Sequence, residues 1–313
     1  MQLKVKSKRE IMKKTLCQTF ILLILISKSS FASNEPELER LSGKLGYLTD
    51  GLSMIKYKEA RVAFQLWTQE LTKVVNVDTE IKYYKNREVF ISDYTKYKYD
   101  YLSLNTYYYL LKKNTIDKYT QDYWYVKSTS SKFDKLLLLV RKDSKIKTLK
   151  DLKNKKISVH MDLFLGKMFL DKEFYEKYSH GYKNHINKIV DSKKYSTSIL
   201  NVFFKKVDAC IVPEKSLNLI SELNPAVKKQ LTPILISKEF FTPLIATFHQ
   251  KTNPEIISRF SSHVDILENT TKGRNILNLF KMNGLERINK SELDPLYNYY
   301  LDYIKLKKRN GNK

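Results

Sequence analysis

Hydrophobic positions along this chain fall into two recurring patterns: apolar runs of strand length, and longer stretches in which apolar residues return every three to four positions. The clearest alternation lies between Asp134 and Gly166. Lys135 to Arg141 reads Lys-Leu-Leu-Leu-Leu-Val-Arg, a continuous run that predicts a strand buried on both faces. Asp143 and Ser144 break it. Thr148 then precedes Leu149 and Leu152 at helical spacing, and Asp151 three residues on completes a capping box for a short helix. Asn154 can end that helix, because Asn tolerates the left-handed conformation. Ile157 to Val159 resumes as a strand, and a helix is predicted from Gly166 through Tyr178. A strand feeding a helix start offers free backbone N–H groups to an anion or ligand.

The flanking segments extend this pattern. Leu45 to Leu48 predicts a short strand and Asp50-Gly51 a turn. Over residues 58–75, Val62, Leu66, Trp67, Leu71, Val74 and Val75 make the apolar face of an amphipathic helix. Asp78 to Tyr84, Arg87 to Tyr97 and Tyr99 to Leu104 predict strand, helix and strand. That β-α-β-α-β order implies parallel pairing through crossover helices, with ligand-binding loops at one sheet edge. Ten of the 22 tyrosines fall between Tyr94 and Tyr125. They suit either an aromatic ligand wall or, residue by residue, the cover of helix and strand faces. Further on, strands are predicted at 187–191, 207–212 and 234–236, and helices at 196–205, 217–223 and 225–230. Helices at 255–267, 272–282 and 296–306 complete the chain. The expected fold is α/β with two lobes, each a mostly parallel sheet flanked by helices: residues 33–136, then 137–242, with 243–313 returning to the first. Crossings near Leu137 and Leu244 would form a two-strand hinge.

Several segments resemble a known family. Lys147-Thr148-Leu149-Lys150-Asp151-Leu152-Lys153-Asn154-Lys155-Lys156-Ile157-Ser158-Val159 is similar to a signature of type 2 periplasmic solute-binding proteins, followed by Lys206 to Val212, Asn224-Pro225 and Leu235-Ile236-Ser237. Order and spacing look most like the phosphate, phosphite and phosphonate-binding branch, over roughly Leu45 to Ile288. The resemblance implies a protein that closes its cleft on a small molecule and hands it to an ABC permease, with no cofactor and no catalysis. The alternative is a sensor of the same fold that reports its ligand to a membrane receptor or kinase. Where phosphonate binders of the family carry Ser-Thr-Ser-Gly, this chain has Leu163-Phe164-Leu165-Gly166. Three hydroxyl donors are gone, which argues against phosphonate and for a ligand with an apolar body. The family's ligand-facing carboxylate has its nearest match in Glu214, with Asp208 behind it as a turn anchor. Loop position gives the candidate contacts: Asp50, Asn105, Thr106, Tyr107, Phe164, Gly166 and Glu214.

Composition adds an address and removes other functions. A basic start, the apolar run Phe20 to Ile26 and the small-residue site Ser30-Phe31-Ala32 predict a cleavable signal peptide over residues 1–32 and a periplasmic location. Cys17 begins the apolar run instead of ending it, so lipidation is not expected. Cleavage leaves Cys210 as the single cysteine and excludes an internal disulfide. The net charge is +24, and loss of seven Lys or Arg and one Glu with the signal leaves +18. Export and the even spread of lysines argue against nucleic acid as the partner. Five histidines lack metal-ligand spacing, and eight glycines without a Gly-rich loop leave nucleotide cradles and nucleophile elbows without material. A monomer is expected.

Overall fold

The computed structural model describes residues 39–48, nine positions between 62 and 75, and residues 76–311 except 128–130, 162 and 280–281. The predicted signal segment, Asp50 and part of the helix read over 58–75 lie outside the described residues. Of that helix, Thr68 and Val75 are buried while Val62 and Leu66 are exposed. Trp67, Leu71 and Val74 of the expected apolar face lie outside the described residues.

Two sheets organise the chain. The first has the order β11-β4-β10-β3-β1-β2 and the second β7-β6-β8-β5-β9. In the first, β1 (Leu41–Leu48) lies parallel to β2 (Val77–Tyr84) and β3 (Tyr101–Leu104), with α1 (Arg87–Thr95) crossing between β2 and β3. Then α2 (Thr106–Ile116) leads to β4 (Thr120–Lys127), and the chain leaves for the second sheet through β5 (Phe133–Arg141). A capping box at Thr148 and Asp151 starts a 3-10 turn, and Asn154 ends it with φ at 60°. There follow β6 (Lys156–His160), α3 (Phe164–Tyr178), β7 (Lys188–Ser192), α4 (Tyr195–Phe203), β8 (Ala209–Pro213), α5 (Glu214–Leu223), α6 (Pro225–Gln230) and β9 (Leu231–Phe241). The chain returns in β10 (Ile245–His249), α7 (Pro254–Asn269), α8 (Thr271–Leu279), β11 (Gly284–Arg287) and α9 (Asp294–Gly311).

Both sheets are mixed, a correction to the mostly parallel sheets expected. β6 pairs in parallel with β7 and β8, but β5 is antiparallel to β8 and β9, and β10 is antiparallel to β3 and β4. A parallel neighbour needs a crossover of a dozen or more residues, and the strands that pass between the sheets arrive without one. β5 sits between two strands, and Leu136 to Val140 are at most 2 % exposed. At the crossings, Phe241 packs edge-on against both Tyr125 at 5.8 Å and Phe133 at 6.1 Å, so one apolar cluster runs from sheet to sheet.

The tyrosine-rich stretch is mostly core. Tyr94, Tyr99 and Tyr109 are fully buried, and their hydroxyls are satisfied: Tyr99 donates to the Phe90 carbonyl at 2.6 Å, and Tyr109 and Tyr123 both donate to Asp117 at 2.7 Å. A buried phenol needs such a partner. Cys210 is likewise inert, because burial pushes its thiol up. Asp208 anchors a turn, accepting the Lys156 N–H at 2.8 Å.

Candidate functional site

Three helix starts meet one cavity of about 240 Å³. From the first sheet comes α2, whose cap Asn105 accepts the Tyr108 N–H at 2.9 Å. From the second come α3, which begins after Leu163, and α5, which begins after Pro213; neither cap residue supplies a side-chain bond. Asn105, Thr106 and Tyr107 face Leu163, Phe164 and Leu165 across the space, with Pro213, Lys215, Ser216 and Tyr195 on one flank. Asp134, Leu136 and Thr242 form the wall at the two crossings. Tyr107 and Phe164 stack with centroids 5.3 Å apart and planes 13° from parallel, closing one side of the cavity.

The electrostatics turn on Asp134. Its carboxylate is buried, accepts the Lys135 N–H at 2.8 Å and takes the backbone N–H of Lys215 in the first turn of α5. A helix start is a natural anion site, so here the chain's own carboxylate fills part of it. Burial pushes the Asp134 carboxyl above the usual range, and the nearby Lys215 charge only partly offsets that. The Lys215 ammonium donates to the Ser131 carbonyl at 2.8 Å.

Of the residues singled out from sequence, Asn105, Thr106, Tyr107 and Phe164 line this cavity. Asn105 spends its side-chain oxygen on the helix cap, and the Thr106 hydroxyl donates to the Pro243 carbonyl, pinning α2 to the second crossing. Gly166 and Glu214 are not among the lining residues. The Gly166 N–H already donates to the Leu163 carbonyl at 3.1 Å, and a Cβ there would come within 2.7 Å of the Leu163 side chain, so the glycine lets α3 start close against β8. Glu214 opens α5 one residue before Lys215. Asp50 lies outside the described residues. Sequence reasoning missed Asp134, Tyr195, Lys215, Ser216 and Thr242. The signal for Lys215 was its place beside Glu214; Asp134 was visible only as the polar start of an apolar strand.

Among the described residues, no group of three His, Cys, Asp or Glu side chains could hold a metal ion, and no helix is long and apolar enough to cross a membrane. His249 is a core residue. It lies against the rings of Tyr94, Tyr97 and Tyr119, and burial pushes its pKa down.

A family model described as the periplasmic substrate-binding protein of phosphonate ABC transporters matches residues 53–293. The chain belongs to that family. No curated protein matches it in sequence. Solved structures share the two-lobed fold of this substrate-binding protein at low identity. PhnD1 from Prochlorococcus marinus, in complex with methylphosphonate, superposes with a TM-score of 0.54 at 14% identity, covering 88% of this chain and 100% of that one. A binding-protein component of a phosphonate ABC transporter from Pseudomonas aeruginosa gives 0.57 at 13%, covering 87% and 89%. A Xanthomonas citri protein bound to ATP gives 0.59 at 11%, covering 85% and 98%. Family members bind small molecules and work with ABC permeases; they are transporter components, not enzymes.

Proposed function

We propose that this substrate-binding protein takes an organic solute with a hydrogen-bond donor, an ammonium or amide, directed at Asp134, and an apolar body held by Leu136, Leu163, Phe164 and Tyr107. The observation that carries this reading is the Asp134 carboxylate at the start of α5. A phosphonate dianion entering the cavity meets that negative charge, and it meets Leu163, Phe164 and Leu165 instead of hydroxyl donors. Each lost charged hydrogen bond is worth about 1.5–3 kcal/mol. A donor-bearing ligand instead adds a further hydrogen bond to a buried carboxylate that already accepts the Lys135 and Lys215 N–H groups. The remaining N–H groups at the starts of α2 and α3 suit an acceptor on the other end of the solute.

In this reading residues 1–32 are removed on export, the mature protein works as a periplasmic monomer, and the two crossings let the lobes close on the ligand before it passes to an ABC permease. Lobe limits are proposed at 33–136, 137–242 and 243–313; the second lies beside the passage between β9 and β10, whereas β5 already belongs to the second sheet from Phe133. The test is mass spectrometry of small molecules released from protein purified from its native host. An amine- or amide-bearing solute with an apolar part is expected; release of an alkylphosphonate and of no such solute overturns the assignment.

A further inference from the structure

A second cavity, of about 390 Å³, adjoins the first through the same two rings, Tyr107 and Phe164. It lies between α3, the turn at Gly181 to Asn184 and the last helix α9. Its walls carry three lysines, Lys167, Lys183 and Lys307, against one acid, Asp171. That acid is committed. Its carboxylate accepts the Tyr303 hydroxyl at 2.8 Å and the Tyr182 N–H at 3.1 Å. A Cβ at position 181 would lie 2.6 Å from the Asp171 oxygen, so glycine lets the turn fold onto it.

Some ammonium groups of this lysine-rich chain are gathered around carboxylates. Asp93 sits between Lys82 at 3.1 Å and Lys98 at 2.9 Å, and Asp117 between Lys113 at 2.7 Å and Lys290 at 2.9 Å. In the second cavity only Lys167 has such a partner, Asp191 at 3.1 Å. Lys183 and Lys307 have no carboxylate partner among the described residues, and Lys307 instead lies 5.7 Å from the Tyr303 ring. Lys183 and Lys307 are exposed at the edge of this concave space, and like charges lining it raise the local positive potential and favour a multiply charged anion.

We infer that this cavity is a second binding site, for a small phosphorylated solute whose phosphate lies between Lys183 and Lys307 and whose remainder rests on Tyr175 and Tyr303. It shares Tyr107 and Phe164 with the Asp134 cavity, but its three lysines line the second cavity alone.

The test is calorimetric titration with inorganic pyrophosphate, the probe for the phosphate subsite, at physiological salt. One equivalent is expected to bind with submillimolar affinity. The Lys183→Gln/Lys307→Gln double variant, its fold checked by melting temperature, should bind at least ~10-fold more weakly. Lys183→Arg/Lys307→Arg should retain binding, and Asp134→Asn should leave it unchanged. Vesicles containing a phosphomonoester lipid form a second arm: sedimentation lost in the same double Gln variant would assign the phosphate to a headgroup and still support the site. No binding to the native chain in either arm, equal binding to the double Gln variant, or equal weakening by Asp134→Asn overturns the inference.

Discussion

Tyr303 donates its hydroxyl to the Asp171 carboxylate at 2.8 Å, so the last helix is pinned to α3 on the flank of the second sheet. One and a half turns earlier the same helix is tied to the first sheet's flank, where Tyr297 donates to Asn114 at 3.0 Å and Lys113 lies 5.0 Å from the Tyr297 ring. Between them Tyr299 packs on Phe240 of β9 at 4.8 Å. Helix α9 is therefore a third connection between the lobes, beside the two crossings.

A strap of this kind resists opening. Each hydroxyl bond contributes about 1 kcal/mol, so Tyr297→Phe with Tyr303→Phe should shift the ligand-free protein toward a wider cleft. Solution scattering should give a larger radius of gyration for the double variant than for the native chain, and a saturating ligand should reduce it in both. An unchanged radius on ligand binding would count against lobe closure.

The apolar start of α3 sets what the first cavity refuses. In a thermal-shift panel on the Lys183→Gln/Lys307→Gln variant, which lacks the lysines of the second cavity, phosphate, phosphite and alkylphosphonates should leave the melting temperature unchanged, since only a ligand that binds the folded state raises it. Replacing Leu163, Phe164 and Leu165 by Ser, Thr and Ser should create phosphonate binding, with up to several powers of ten at stake from three charged hydrogen bonds. Micromolar phosphonate binding by the Lys183→Gln/Lys307→Gln variant with its 163–165 segment unchanged would reverse this assignment.

Asp134 should make ligand-free stability depend on pH in an unusual direction. Burial holds its folded pKa above the ordinary carboxylate value, so between those two values the folded chain keeps a proton that the unfolded chain has lost. This group's contribution to stability is thus greatest below about pH 4 and declines as pH rises through the folded pKa. Asp134→Asn should melt above the native protein at pH 7, with the difference shrinking toward pH 4, and should lose affinity for an amine-bearing ligand. An Asn variant that melts lower at pH 7 and binds unchanged would remove Asp134 from the site.

Export makes a prediction of its own. Intact-mass measurement on envelope extracts should find a chain beginning at Ser33. A membrane-bound species retaining residues 1–32 would show that the leader is an anchor.

Much of the fold was written locally. The apolar run at 135–141, the capping box at Thr148 and Asp151 and the left-handed Asn154 each depend on neighbours in sequence, and each is found where the pattern puts it. Elements without a clean period were missed. In α2, Tyr107, Tyr108 and Tyr109 crowd the first turn, and the usable signal was the cap Asn105. In β4, Tyr123 to Val126 are all buried because both faces are covered, Tyr123 and Tyr125 packing into one apolar cluster and Trp124 and Val126 into another, which removes the alternation of a strand with one wet face. Just past the helix expected at 272–282, Gly284 opens β11 with a φ of 145°.

By itself the sequence determined the family, the α/β plan and the loss of hydroxyl donors at 163–165, because all three are carried by residue types at fixed short spacing. Only the tertiary structure decided which polar groups enter the cavity. Asp134 and Lys215 meet because β5 runs antiparallel to β8, with Leu136 opposite Pro213, which sets the start of β5 beside the start of α5. That pairing is a long-range choice driven by burial of both strands, and no local pattern encodes it.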